Sequence, residues 1–475
     1  MNSRPNQFDR LVLIAAIAIF IVLHIYHINE PPNGYHQWRE SDTAAIILNY
    51  YQEDANFLHQ RCNQRGIHSG ITAGELPTYS YSSVILYFIF GPHHFLPRLL
   101  TLAGSLLGLY FFRNSVALLS NPTAANYSTI ALAFSPIFLF YSFKIMPDIW
   151  MLMFMLGAVY FFLKYVNSNS RADFFLSAVF LILSATIKPL SLCIYLPFLF
   201  YLKSKTGRMR LSIRTMAVYG AVTFSVVLGW FLYGLHLNSI HHSDAFYMGQ
   251  HLIRSHIYAT EAFFYKMLFL QWPFELWIGW AMLPVFIYGC IKFWKEQHSR
   301  FFFIWILAGY IVFALVSSHA RAHDYYTLVI VPPLAAISGW GLYRLSLLPK
   351  WRVPLVTFIV LVLPAVSSYR IKSRFDQVPF FDDIRLAAGE KLPPGKLVLV
   401  EDKSTPIRLY QLNRHGWPVR DSLCIESVCP FIDSGGVYLV LDNLIQTYNS
   451  DIWPLVKDSV FRIGPLYGYK VIRPD

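Results

Sequence analysis

The sequence predicts an α-helical polytopic membrane protein with about eleven transmembrane helices, additional juxtamembrane helices and a small C-terminal α/β soluble domain. Hydrophobic residues make up 55% of the 475 residues and charged residues only 14%, which leaves too little polar surface for a soluble protein. Runs without Lys, Arg, Asp or Glu, such as 11–28 and 353–369, approach the roughly 20 apolar residues that a bilayer-spanning helix needs.

The apolar runs give the predicted spans in order, beginning with 11–28. That run could instead be a cleaved signal peptide, but no small-residue cleavage site follows it, so we predict a retained first helix. Residues 80–90 are also apolar, yet about a dozen residues are too few to cross the bilayer, and we predict a helix along its outer interface. The later predicted spans are 96–112, 124–141, 148–166, 173–187, 189–203, 212–235, 272–293, 301–317, 325–345 and 353–369.

Lys and Arg residues near the helix ends predict the orientation, because such residues are retained on the cytoplasmic side. Arg4 and Arg10 precede the first span, and the cluster within 203–214 falls on the same side. The N-terminus is therefore predicted inside, and the segments 29–95, 236–271 and 371–475 outside. These loops explain the formal net charge of +12 better than a nucleic-acid partner does, and we predict none.

The chain changes character near residue 370, which predicts two domains: a transmembrane module over 1–370 and an extracytoplasmic α/β domain over 371–475. The runs KLVLVED, VYLVLD and YKVIRP have the β-branched composition of strands, and TPIRLYQLNRHGW has helical apolar spacing. Cys424 and Cys429 lie in the exported part, where they are either a disulfide pair or two free thiols.

The first outside loop opens with GYHQWRESDT, which is unusually rich in polar and aromatic residues. Asp42 lies shortly after the first span, where a carboxylate near the outer face could act as a general base on an acceptor hydroxyl or amine. The alternative is a solvated loop with ordinary surface charges.

Asp148 stands at the start of a span, directly after Pro147. Ionisable groups at such positions tend to mark functional sites, whereas an Asp beside a Pro also favours a helix start and could serve only as a cap. The predicted topology places Asp148 and Asp42 on the same membrane face, which favours a functional role.

Cationic side chains converge on that face and suit a lipid-linked phosphate donor, because cations can hold the phosphate as a leaving group. They are Lys188, Arg321, Arg254 and Lys266, with His323 and Asp324 beside them. The histidines of the 236–271 loop match no closed zinc pattern, so we interpret them as part of a solvated loop.

In these features the chain resembles the GT-C glycosyltransferases of the protein O-mannosyltransferase and lipid A aminoarabinose transferase type, or glycosyltransferase family 39-like enzymes. The resemblance covers most of 1–370 and is carried by WRESDTAAIILNYY, GELPTYSYSSVILYFIFG, SPIFLFYSFKIMPDIWMLMF, ATIKPLSL and HDYYTLVIVPPLA. Two departures stand out: Thr43 replaces the acid that commonly follows the base, and Glu75-Leu76-Pro77 replaces a Lys-Pro-Pro or His-Pro-Pro motif.

The resemblance implies an inverting transfer of a sugar from a polyprenyl-phosphate-linked donor to a lipid, glycan or protein acceptor at the outer face of a bacterial inner membrane. Asp42 is then the catalytic base, and Asp148 supports it or helps bind a divalent metal ion, the one cofactor left open. The donor phosphate is assigned to Lys188, Arg321, His323 and Arg254, and substrate binding to His36, Trp38, Arg39, Glu40 and Glu75.

Two other function classes compete with this one. A transporter or flippase would use buried charges near the bilayer midplane, often in broken helices of matched halves, and a catalytically silent scaffold would not need paired acids at one face. The clustering of ionisable residues at helix ends on one side favours the enzyme.

Overall fold

The computed structural model describes residues 7–202, 211–243, 261–296, 298–376, 378–402, 405–419, 425–442 and 450–473. Helices dominate the described part of the chain, and a small sheet lies near its C-terminus. The chain forms two compact units. Unit 1 comprises 1–28, 98–232 and 247–373, and unit 2 comprises 29–97, 233–246 and 374–475.

The bounds of the regular elements are as follows. The α-helices are α1 (Gln7–Tyr26), α2 (Gln37–Gln52), α3 (Thr78–Phe90), α4 (Phe95–Leu119), α5 (Pro122–Ala133), α6 (Pro136–Tyr141), α7 (Asp148–Ser168), α8 (Arg171–Ile187), α9 (Tyr195–Leu199), α10 (Ile213–Ile240), α11 (Ala262–Lys266), α12 (Leu283–Phe293), α13 (Ser299–Leu315), α14 (Ser317–Ala322), α15 (Val331–Ser346), α16 (Arg352–Thr357), α17 (Leu363–Lys372), α18 (Phe381–Lys391), α19 (Ile407–Leu412) and α20 (Ile425–Asp433). The strands are β1 (Gln60–Arg61), β2 (Ile71–Thr72), β3 (Leu397–Glu401), β4 (Gly416–Val419), β5 (Gly436–Asp442), β6 (Val456–Ile463) and β7 (Leu466–Val471). Turns of 3-10 helix cover Pro189–Ile194, Phe200–Leu202, Trp280–Met282, Asp324–Ile330, Pro349–Trp351 and Ser450–Leu455, and turns of π-helix cover Met267–Gln271, Pro273–Trp277 and Phe358–Val362.

Long apolar helices make this chain an integral membrane protein. Within the described ranges, six helices are long and apolar enough to cross a bilayer, and a seventh span is possible if a pair bent by 92° counts as one. The six are Gln7–Tyr26, Phe95–Leu119, Asp148–Ser168, Ile213–Ile240, Asp324–Ser346 and Pro349–Lys372, and the bent pair is Ala262–Trp277 with Trp280–Phe293.

The predicted number of about eleven spans also counts shorter or broken helices. The predicted span 124–141 is divided into α5 and α6 at Ser135–Pro136, where proline removes a backbone donor and clashes with the preceding turn. Similarly, 189–203 is a series of short helical turns that begins at Pro189. Two further predicted spans coincide with α8 and α13, which have only 17 residues each.

Small residues allow the helices of unit 1 to approach each other closely. A Cβ on Gly339 of α15 would lie 2.2 Å from the backbone of Ser128 on α5, and a Cβ on Gly341 would lie 2.3 Å from the carbonyl oxygen of Val285. Such backbone contact is typical of helix packing in membranes, where van der Waals contact replaces the hydrophobic effect as the driving force.

Unit 2 contains the predicted C-terminal α/β fold. Its five-stranded mixed sheet has the order β4-β3-β5-β7-β6, in which β3 pairs in parallel with β4 and β5, while β7 pairs antiparallel with β5 and β6. Alternation along β3 places Val398 and Val400 in one apolar core and Leu399 in the other. The strand-like runs that the sequence indicated correspond to β3, β5 and β7.

The first loop is ordered against the C-terminal segment within unit 2. The Tyr35 backbone N–H donates to the Arg374 carbonyl oxygen at 2.8 Å, and the Gly416 N–H donates to the Asn63 carbonyl oxygen at 3.2 Å. Arg65 donates to Glu53 at 2.7 Å, and the His415 ring lies 3.3 Å from the same carboxylate. Burial of Glu53 opposes its ionisation, but the hydrogen bonds from His415 and Arg65 outweigh that effect and lower the pKa of Glu53 to about 2.

The predicted juxtamembrane helix is α3. It has 13 residues and is followed by Gly91, whose φ of +84° suits a residue without a side chain. Its last three residues, Phe88, Ile89 and Phe90, are exposed apolar side chains, as expected of a helix that lies in an interface.

Candidate active site

Asp42 lies on α2, a helix rather than the open loop that an ordinary solvated segment would form. Gly34 has φ +62° and His36 has φ +60°, so two left-handed residues turn the chain into the start of α2. Polar residues at the beginning of this helix are buried, including Arg39, Glu40 and Asp42. Because burying charge is costly unless partners are provided, these side chains must have specific interactions.

Arg39 joins two carboxylates. Its Nη1 donates to Asp42 Oδ2 at 3.0 Å, and its Nη2 donates to Glu75 Oε2. The exposed fractions of the three side chains are 6% for Arg39, 13% for Asp42 and 19% for Glu75. We refer to Asp42, Arg39 and Glu75 as the carboxylate triad.

Burial raises the pKa of the Asp42 carboxyl above its ordinary value. The positive charge of Arg39 and its hydrogen bond oppose that rise, and the negative charge of Glu75 adds to it. A carboxylate with a raised pKa is a stronger proton acceptor than an exposed one, which is the property a general base requires. The neighbouring Cys62 thiol stays protonated, because burial and the charge of Asp42 raise its pKa to about 12.

The other predicted substrate residues of the first loop lie beside the triad on the same helix or just before it. Glu40 accepts a hydrogen bond from the Asn33 backbone N–H at 3.1 Å. The His36 ring is 4.1 Å from the Tyr35 ring, centroid to centroid, while Trp38 is half-buried. Their role in substrate binding stays a prediction.

Asp148 and Lys188 form a buried ion pair in unit 1. Lys188 Nζ donates to Asp148 Oδ1, and the two side chains are 5% and 0% exposed. Lys188 lies between α8 and the 3-10 turn that starts at Pro189, so the proline that ends the helix also positions the lysine. Asp148 is the first residue of α7, and the preceding Pro147 provides no side-chain cap for this helix.

Two tyrosines accompany this ion pair, and the sequence analysis did not assign them a role. Lys188 Nζ lies 4.2 Å from the Tyr325 ring centroid and 4.7 Å from that of Tyr326. Aromatic faces attract cations, so the rings help to hold the ammonium group. The sequence signal for these two rings is the HDYY run at 323–326.

Two further predicted phosphate contacts, Arg321 and His323, lie in the same unit. Arg321 pairs with Glu261 at 2.9 Å, and the His323 ring is stacked with Tyr325 at a centroid distance of 5.3 Å. Asp324 accepts a hydrogen bond from the Tyr141 hydroxyl. Arg254 lies outside the described residues, as do residues 203–210 of the basic loop and Cys424, and the roles assigned to them stay predictions.

Buried cations that the sequence analysis did not assign to the donor phosphate also lie in unit 1. The Lys144 side chain is buried with its Nζ 4.9 Å from the Phe140 ring centroid, and the buried Arg98 donates to the Phe143 carbonyl oxygen. Across the described ranges, no group of three or more His, Cys, Asp or Glu residues could hold a metal ion. The partner of Asp148 in the structure is the ammonium group of Lys188.

Comparison with known proteins identifies a fold. Residues 76–233 match the sequence family described as dolichyl-phosphate-mannose-protein mannosyltransferase. No curated protein sequence matches the chain significantly.

Three solved structures are similar over nearly the whole chain. ArnT from Cupriavidus metallidurans, bound to undecaprenyl phosphate, is similar with a TM-score of 0.67 and 13% identity over 96% of this chain and 97% of ArnT. The Archaeoglobus fulgidus oligosaccharyltransferase, tethered with an acceptor peptide, has a TM-score of 0.62 and 14% identity over 93% of this chain and 70% of the enzyme. The mycobacterial arabinofuranosyltransferase AftD has a TM-score of 0.57 and 15% identity over 97% of this chain and 40% of AftD. The predicted resemblance is confirmed: the chain has the GT-C glycosyltransferase fold.

Proposed function

We propose that this chain, which has the GT-C fold, is a glycosyltransferase that transfers a sugar from a polyprenyl-phosphate-linked donor to an acceptor, with Asp42 as the general base. The observation that carries the proposal is the carboxylate triad, in which a buried acid with a raised pKa has a defined hydrogen-bond partner. The undecaprenyl phosphate bound to the similar ArnT structure supports a lipid phosphate as the donor's carrier.

The proposed step is a single inverting displacement. The Asp42 carboxylate takes the proton from an acceptor hydroxyl or amine, and the acceptor atom bonds to the anomeric carbon from the side opposite the phosphate. The bond between the anomeric carbon and the phosphate oxygen breaks, and polyprenyl phosphate leaves with the electron pair. A correctly positioned base contributes about 10²- to 10⁴-fold to the rate of such a step.

The Asp148–Lys188 pair is proposed to serve the donor phosphate. The support is the buried ion pair of Lys188 Nζ with Asp148 Oδ1, which places a cation inside unit 1. In this proposal Lys188 binds the phosphate as a positive charge, while Asp148 and the two tyrosine rings fix its position. Arg321, His323 and Arg254 remain further candidates, as does a divalent metal ion at Asp148.

The proposal extends to the location of the reaction. The Lys and Arg distribution supports the outer face of a bacterial inner membrane, with lipid, glycan and protein acceptors all compatible with the chemistry.

The test is donor turnover by the purified protein in liposomes that contain a polyprenyl-phosphate-linked sugar. We expect the donor to be consumed, free polyprenyl phosphate to appear in equal amount, and the sugar on the acceptor to have the inverted anomeric configuration. Movement of intact donor between leaflets without release of polyprenyl phosphate would contradict the proposal and favour the flippase.

A further inference from the structure

The carboxylate triad is built as a support for one of its own members. The guanidinium group of Arg39 presents donors in a rigid planar fork, and here two of its nitrogens bind two different acids. Arg39 is nearly fully buried, and its own carbonyl oxygen accepts a hydrogen bond from the Thr43 hydroxyl at 3.0 Å, one turn later on α2.

The backbone of Glu75 is also held in place. Its backbone carbonyl accepts a hydrogen bond from the Gln60 side-chain amide at 2.9 Å, and α3 starts three residues later at Thr78. The fork of Arg39 is therefore held from one side by Glu75 and orients Asp42 on the other. A base whose carboxylate is pre-oriented avoids the cost of reorganisation during the reaction.

From this geometry we infer that Arg39 and Glu75 are positioning residues for Asp42, and not the substrate contacts that the sequence analysis predicts. The inference rests on the proposed function, because it gives these residues a role in a reaction that Asp42 starts. Two negative charges and one positive charge meet in the triad, so each supporting residue should change the basicity of Asp42, and the two should act in opposite directions.

The titratable groups that face Asp42 come from three segments of unit 2. They are Arg39 on α2, Cys62 after β1, and Glu75 before α3. Other ionisable groups of α2 are engaged elsewhere: Glu40 with the Asn33 N–H, Tyr50 with the Phe57 carbonyl and Tyr51 with the Tyr87 ring. The same holds for the elements packed against α2, where the pairs are Arg61 with Glu53 and Asp54, Arg408 with Asp442, Tyr410 with His94, Tyr79 with the Pro97 carbonyl and Tyr81 with the Ala55 carbonyl. The thiol of Cys62 is neutral over the working range of pH, which leaves Arg39 and Glu75 as the charges that control Asp42.

The sign of each effect follows from charge. Removal of the Glu75 carboxylate takes away a like charge, so Asp42 should lose its proton at lower pH. Removal of the Arg39 guanidinium takes away an opposite charge, so Asp42 should stay protonated to higher pH. Effects of neighbouring charges at such distances amount to about one pH unit or more.

The experiment is the pH profile of kcat/KM for sugar transfer by the wild type, Glu75→Gln and Arg39→Gln. We expect the acidic limb of Glu75→Gln to move to lower pH and that of Arg39→Gln to move to higher pH, each by about one unit. Glu390→Gln is the control, the same chemical change at an exposed position of α18, and its acidic limb should stay at the wild-type position.

Unmoved acidic limbs, or a raised KM alone, would overturn the inference and return Arg39 and Glu75 to the role of substrate contacts. Thermal unfolding of each variant is measured in parallel. Where Arg39→Gln does not fold, Arg39→Lys replaces it. Because the charge is retained, the acidic limb of Arg39→Lys should stay near the wild-type position while kcat falls. An acidic limb of Arg39→Lys that moves by about one pH unit would overturn the inference. A wild type that transfers no sugar, or an Asp42→Asn variant with the wild-type rate, would instead overturn the proposed function, and the inference with it.

Discussion

The ion pair between Asp148 and Lys188 shows how strongly burial changes the consequence of one substitution. Both side chains are almost inaccessible, so Lys188→Met would leave a buried carboxylate without its ammonium partner. We expect a loss of about 3–5 kcal/mol in the free energy of unfolding. The measurement is denaturant unfolding in detergent.

Helix α7, which begins with Asp148, also contains the residue for a matched control, Lys164. Lys164 pairs with Asp173 at 2.9 Å, but the Lys164 side chain is 38% exposed. Lys164→Met should therefore cost only about 0–1 kcal/mol. Equal losses for the two variants would show that the Asp148–Lys188 pair is not desolvated as described.

Residue roles were only partly predictable from the sequence. Asp42 and Asp148 could be proposed because acids near span ends are rare, and Asp148 is the first residue of α7. Arg39 and Glu75 were recognised as polar residues of the site but not as partners, because 36 positions separate them in the chain. Periodicity and composition carry no information on such contacts.

At the level of elements, the strands β3, β5 and β7 were predictable from β-branched runs and the long spans from uncharged apolar runs, whereas α2 was not. Its residues 39–50 are buried although many are polar, so no apolar face marks the helix in the sequence. Burial of α2 follows from neighbours such as α3 and α19 that the local sequence does not reveal.

Gly34 lies in the turn that leads into α2, so a substitution there tests how this helix begins. Gly34 has φ +62°, and a Cβ there would lie 2.1 Å from the Arg374 carbonyl oxygen. Gly34→Ala adds backbone strain of about 1 kcal/mol. It also adds a clash between the new Cβ and the Arg374 backbone, which would have to move. Gly395→Ala is the control, because Gly395 has φ +74° with no atom within 4 Å of the added Cβ.

We expect Gly34→Ala to lower the unfolding temperature more than Gly395→Ala does, because only the first variant includes the clash. Thermal unfolding of both variants measures the difference. Equal shifts for the two variants would contradict the close contact between Gly34 and Arg374.

For the whole molecule, the predicted topology places the N-terminus and the 203–214 loop in the cytoplasm and residues 371–475 outside. Single cysteines at the exposed positions Ser212 and Ser459, in a cysteine-free background, would report these two sides. A membrane-impermeant thiol reagent added to intact cells should label Ser459→Cys and not Ser212→Cys. The reverse pattern would refute the predicted orientation.

The fold of the whole molecule was accessible from composition, charge placement and the order of degenerate motifs, and the similar structures confirm it. The identities of the sugar and the acceptor could not be predicted from the sequence, because their recognition depends on side-chain arrangements specific to this chain. The same limit applies to the structural comparisons, in which identities of 13–15% establish fold alone.

The most direct test of the central claim is the rate of sugar transfer from a polyprenyl-phosphate-linked donor by Asp42→Asn. This change keeps the volume of the side chain and removes its basicity, so we predict a loss of at least about 10²-fold with unchanged folding. Asp458→Asn, the same chemical change at an exposed position of β6, should transfer at the wild-type rate. A folded Asp42→Asn protein that also transfers at the wild-type rate would contradict the account.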